Sequence, residues 1–120
     1  MTERVVVTGI GMISPLGLDA HSTWQSLLDG KSGVRRITVF DTTEFLTQIA
    51  SEVKGFDPNN YMDRKEARHT DRFSQLAIAA SQEALNQANL TIDKSNTNDI
   101  VTIIGSELGG IITLSEQVNV

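Results

Sequence analysis

The sequence contains no cysteine. Disulfides, thiolate metal sites and any thiol nucleophile are therefore excluded from this stretch of chain. No apolar run is long enough to cross a bilayer as a helix. The first residues, Met1-Thr2-Glu3-Arg4, pass straight into Val5-Val6-Val7 with no apolar signal core, small-residue cleavage site or Arg/Ser-rich transit segment. A cytoplasmic location is the expectation. Positive charge is in the minority: fifteen acidic against ten basic side chains give a formal net charge of −5. That balance disfavours non-specific attraction to nucleic acid or to an anionic membrane, so an anionic partner needs a local basic patch. Internal repeats and low-complexity segments are also missing.

What remains is the composition of a soluble globular protein, with 39% apolar and 21% charged residues. A compact domain of 120 residues buries roughly two thirds of the surface its unfolded chain exposes, enough for one core.

Arg4 to Thr8 form a β-branched run without alternation that ends in Gly9, the pattern of a strand covered on both faces. Gly9, Gly11, Pro15 and Gly17 then break the chain, which predicts a tight loop to Leu18. Ser22 followed by Gln25 fits a capping box, and Trp24, Leu27 and Leu28 give the following helix an apolar face that stops at Gly30. Residues 31–61 read as an irregular insertion with short strands at Ile37–Phe40 and Ile49–Val53, closed by Asp57-Pro58-Asn59-Asn60.

Asp63 with Glu66 is a second capping box, opening a helix on which Phe73, Leu76, Ala77, Ala80, Ala84 and Ala88 recur at helical spacing. Because the stripe is mostly alanine, the helix backbone is expected to lie close to a neighbour. Asn89 suits the left-handed residue that ends such a helix. Ile100 to Ile104 read as a second buried strand ending in Gly105, and Ile111 to Gln117 as the start of another helix.

The order strand, helix, insertion, helix, strand predicts an α/β fold with a parallel sheet. Two long strands make an incomplete sheet, since stable sheets usually hold about four to six. Residues 1–120 are therefore expected to open a larger domain.

Gly9-Ile10-Gly11-Met12-Ile13-Ser14 partly mimics a dinucleotide fingerprint, but Ser14 replaces the third glycine and no acidic residue ends a second strand at the proper distance. The simpler reading is a loop whose glycines let strand and helix pack closely.

The run Arg4-Val5-Val6-Val7-Thr8-Gly9-Ile10-Gly11-Met12-Ile13-Ser14-Pro15-Leu16-Gly17 closely resembles the opening of β-ketoacyl-acyl-carrier-protein synthases, particularly the type II elongation enzymes. Trp24 to Gly33, Phe40-Asp41-Thr42, Arg64-Lys65-Glu66-Ala67-Arg68, Asp71-Arg72-Phe73 and Gly105-Ser106-Glu107-Leu108-Gly109-Gly110 follow in the family's order. The resemblance implies a thiolase-like fold of stacked α, β, α, β and α layers, usually in a homodimer. It also implies decarboxylative condensation between an acyl-enzyme and malonyl carrier protein, with no cofactor.

The family's nucleophilic cysteine and catalytic histidines lie beyond Val120, and His21 and His69 fall outside its histidine motifs. No catalytic residue is thus expected in this chain. The resemblance assigns Leu108 to the acyl channel and Lys65, Arg68 and His69 to docking of the acidic acyl carrier protein. Four of the ten basic residues fall between positions 64 and 72, and on one continuous helix 64, 68 and 72 share a face. The alternative for this patch is a solvated surface pairing with Asp63, Glu66 and Asp71. Glu107 stands where many relatives carry a small residue, and is expected to point to solvent or to a subunit partner. Two other functions stay open: a chain-length-factor-like partner that shares the fold without the cysteine, and an autonomous nucleotide-binding module.

Overall fold

The computed structural model describes residues 3–118, apart from the side chain of Ile112. Met1–Thr2 and Asn119–Val120, the ends of the span read as one truncated domain, lie outside the described residues. The chain divides into two compact units, one of residues 12–56 and one of residues 1–11 with 57–120.

In the first unit, helix α1 spans Ala20–Leu28. Its N-cap is Asp19, whose carboxylate accepts the Ser22 backbone N–H at 2.6 Å, so the expected cap at Ser22 sits three residues too late. The bond from the Ser22 N–H holds the Asp19 carboxyl below the usual carboxylate range. At the other end Gly30 takes φ +63°, and the Gly30 and Lys31 N–H groups bond to the carbonyls of Leu27 and Ser26. That pair of bonds closes the helix in a Schellman motif. The buried face of α1 is not the expected Trp24, Leu27 and Leu28, which are exposed. Thr23 and Ser26 are buried instead, their hydroxyls donating to the carbonyls of Gly17 and Leu16 at 3.3 and 3.0 Å.

Strands β1 (Val34–Arg36) and β2 (Ile49–Ser51) pair antiparallel, with Arg35 opposite Ala50. The second lies where a strand was expected; the first lies three residues earlier. The reason is Glu52. Its carboxylate accepts the N–H groups of Thr38 and Val39 at 2.9 and 3.3 Å, so a side chain stands where a partner strand would. Lys54 and the Thr38 hydroxyl bond the same carboxylate, holding its pKa down to about 2.

In the second unit a 3₁₀ turn at Pro58–Asn60 leads to α2 (Arg64–His69), α3 (Arg72–Gln87) and α4 (Ile111–Val118). Asp63 caps α2 as expected, accepting the N–H groups of Lys65 and Glu66. Asn89 ends α3 with φ +49°, and the Leu90 N–H closes a second Schellman motif on the Leu85 carbonyl at 3.0 Å. Gly9 and Gly11 lie directly on α3: a Cβ on either would stand 2.0 Å or less from the carbonyl oxygen of Ala84 or Ala80. The alanine stripe thus does what its side chains suggested. The glycines thus serve close packing of the loop on α3.

The expected parallel sheet is not formed among the described residues. Arg4–Thr8 and Ile100–Ile104 carry no strand pairing, and Val5 and Ile103 are 97% and 90% exposed. A strand exists only through its neighbours, and the described residues supply none for either run. Among the described residues the buried apolar side chains are Phe56 in the first unit and Ala79 in the second.

Candidate functional site

The basic residues do not lie on one helix. Thr70 leaves the helical conformation at φ −113°, ψ 126°, and α3 begins afresh after Asp71. Arg72 therefore belongs to a new axis and does not extend the face of Arg64 and Arg68. The break leaves Arg64, Lys65, Arg68 and His69 exposed on a two-turn helix. Arg68 and His69 fall in its last turn, where the helix dipole favours positive charge.

None of these four makes an ion pair among the described residues. Of the three carboxylates that could pair with them, Glu66 makes no ion pair among the described residues and two are engaged elsewhere. Asp63 caps the helix, and Asp71 accepts the hydroxyl of Thr113. A cluster of basic side chains without ion pairs thus concentrates on one short helix of a protein with net charge −5.

Beside the end of α2 lies a cleft of about 830 Å³. Phe73, Leu76, Leu108 and Ile111 supply apolar walls, and Arg68 and His69 stand on its lining. The structure thus brings Leu108, Arg68 and His69 to one concavity, while Lys65 lies outside that lining on α2. Leu108 is 70% exposed in this chain. Glu107 beside it is exposed, as expected of a carboxylate without a partner. His21 is exposed in the first turn of α1.

The turn that carries Leu108 is held close to α3. A Cβ on Gly109 would stand 2.8 Å from the Phe73 ring, so only glycine allows this approach. Sequence reasoning placed Phe73 on the apolar stripe of its helix and did not bring it to Leu108. Among the described residues no group of three or more His, Asp and Glu is placed to hold a metal ion, and no helix is long and apolar enough to cross a membrane.

The sequence pattern of the family described as β-ketoacyl synthase, N-terminal domain, matches residues 2–119. The chain belongs to that family. Among curated β-ketoacyl synthase relatives, 3-oxoacyl-[acyl-carrier-protein] synthase 2 of Vibrio cholerae is 48% identical over 109 residues, covering 91% of this chain and 26% of the relative. The protein of the same name from Synechocystis is 43% identical over 115 residues, covering 96% of this chain and 28% of its own. The chain thus spans about a quarter of the length of these relatives.

One solved structure, the ishigamide ketosynthase/chain length factor, superposes with a TM-score of 0.65 at 37% identity. The match covers 72% of this chain and 21% of that one. The ketosynthase-like fold is accordingly shared, and the unpaired runs at 4–8 and 100–104 belong to a family member that spans a fraction of its relatives' length.

Proposed function

We propose that this chain is the amino-terminal part of a 3-oxoacyl-[acyl-carrier-protein] synthase, a cytoplasmic homodimeric condensing enzyme of fatty-acid elongation. The observation that carries the reading is the match to the synthase family over nearly the whole chain, with relatives of that name above 40% identity. In this reading both units are parts of one thiolase-like domain of stacked α, β, α, β and α layers.

The reaction uses a cysteine outside these residues. An acyl group passes from the carrier's thioester to the cysteine sulfur. Malonyl carrier protein then loses carbon dioxide, and its carbanion attacks the acyl-enzyme and expels the thiolate, leaving a 3-oxoacyl carrier two carbons longer. This chain's contribution is recognition. Lys65, Arg68 and His69 on α2 dock the acidic carrier, and Leu108 lines the acyl channel. Lys65 and Arg68 supply most of the attraction.

A second reading, a chain-length-factor-like partner, has the ketosynthase/chain length factor match in its favour. Assay of the full-length protein with acyl and malonyl carrier proteins separates the two. Release of carbon dioxide with a two-carbon-longer product is expected. A folded full-length protein without a cysteine and without product would establish the partner reading. The channel assignment is checked by Leu108→Phe, which is expected to suppress long acyl substrates more than short ones. An equal loss across chain lengths would make Leu108 an ordinary packing residue.

A further inference from the structure

Asp71 occupies the N-cap position of α3 with φ −61° and ψ 151°, yet its side chain bonds none of that helix's free N–H groups. Aspartate at this position ordinarily turns back on its own helix. Here Oδ1 accepts instead from the hydroxyl of Thr113, 42 residues away in the first turn of α4. The carboxylate's other oxygen faces the turn that precedes α4. A Cβ on Gly110 would stand 2.9 Å from Asp71 Oδ2, and Gly110 holds φ +77°. Gly109, one residue earlier, lies against the ring of Phe73.

The turn bearing Leu108 is therefore fixed from two sides, by contact with the first residues of α3 and by the bond that ties α4 to Asp71. Asp71, Thr113 and Leu108 all line the cleft described above. We infer that Asp71, acting through Thr113, is the positioning residue that sets how far the Leu108 turn stands from α3, and with it the width available to an acyl chain. This deepens the proposed role of Leu108 and rests on it. Without the bond α4 loses its tether to α3, and the turn is held by the glycine contacts alone.

The test uses the full-length synthase and a series of acyl carrier thioesters from short to long. Thr113→Val removes the donor with little change of shape at an exposed position, so the fold is expected to survive, as a thermal melt will show. Thr113→Val and Asp71→Ala are each expected to change the ratio of kcat/KM between the longest and shortest substrates by about fivefold or more, the scale of one hydrogen bond. The double variant is expected to match either single one, because both remove the same bond. Thr113→Ser keeps the hydroxyl and is expected to keep the wild-type ratio.

An unchanged ratio in Thr113→Val, or a uniform fall at every chain length, overturns the inference. Leu108→Phe distinguishes the two levels of the argument. If it alters the length profile and Thr113→Val does not, the channel stands and the positioning role falls. If Leu108→Phe leaves the profile intact, the channel reading itself has failed.

Discussion

The side-chain amide of Gln75 donates both its N–H bonds across the break between helices, to the carbonyl oxygens of Ala67 and Thr70, each at 2.9 Å. Gln75 is buried, and it occupies the end of α2 where carbonyls would otherwise lack partners. A two-turn helix has little stability of its own. Gln75 therefore joins the cationic helix to the longer α3.

Gln75→Leu is expected to destabilise the full-length protein by about 1–3 kcal/mol, the cost of leaving partly buried acceptors unmet. The KM for carrier-bound substrates is expected to rise with it, while small thioester mimics keep theirs. Chemical denaturation and the two assays check this. An unchanged melt with unchanged KM would mean that α2 holds its place without the glutamine.

Reversal of Lys65 and Arg68 to Glu is expected to raise the KM for carrier-bound substrates on the order of tenfold or more, since like charges replace opposite ones at the contact. Added salt should weaken wild-type docking and narrow the difference. Small thioester mimics need no docking and should be spared. Equal losses for both substrate types would make the patch structural.

The isolated 120-residue chain is expected to have no condensing activity and to self-associate or melt without a sharp transition. It exposes 9969 Å², whereas a folded monomer of 13.1 kDa exposes roughly 6,400 Å². Val5, Val6, Val7, Val101 and Ile103 are among the apolar side chains left in water. A monodisperse monomer with a cooperative melt in analytical ultracentrifugation and calorimetry would contradict this.

Acid should loosen residues 38–39 through Glu52. Its carboxyl is lowered from the ordinary 4.5 to about 2, first by the Lys54 bond and then by the Thr38 N–H. A lowered pKa means that the folded state favours the ionised form. The stabilisation is therefore complete above about pH 4.5 and is lost as the pH falls through about 2. Amide exchange at Thr38 and Val39, referred to unaffected amides, should show this loss of protection, and Glu52→Gln should remove the pH dependence. The same acid profile in both proteins would show that Glu52 does not carry it.

Much of this was legible in the sequence wherever the chemistry is local. The cap at Asp63, the left-handed Asn89 and the close-packed alanine stripe each follow from residues within a turn or two of one another. The cap of α1 was placed at Ser22, because a serine with glutamine three residues on also satisfies the pattern and Asp19 precedes the apolar residues by several positions. The break at Thr70 was hidden because charged and small residues run on through it. The contact of Asp71 with Thr113, and of Phe73 with Gly109, joins segments that no spacing rule connects. The roles proposed for Leu108, Lys65, Arg68 and His69 rest on the family resemblance, while periodicity alone identifies a basic cluster without an occupant. The parallel sheet was expected from patterns that describe a strand's surroundings, and those surroundings are not among the described residues.

The contact between the first residues and α3 has a consequence for the order in which the molecule assembles. The Ile10 N–H donates to the Gln87 side-chain oxygen at 2.5 Å, across 77 residues of intervening chain. Closing a flexible loop of that size costs about 4 kcal/mol of chain entropy before the contact returns anything. During synthesis residues 9–11 leave the ribosome before α3, and the surface they settle on does not exist until that helix has been made and coiled. Residues 9–11 are thus immobilised only once a helix synthesised seconds afterwards has formed to receive them.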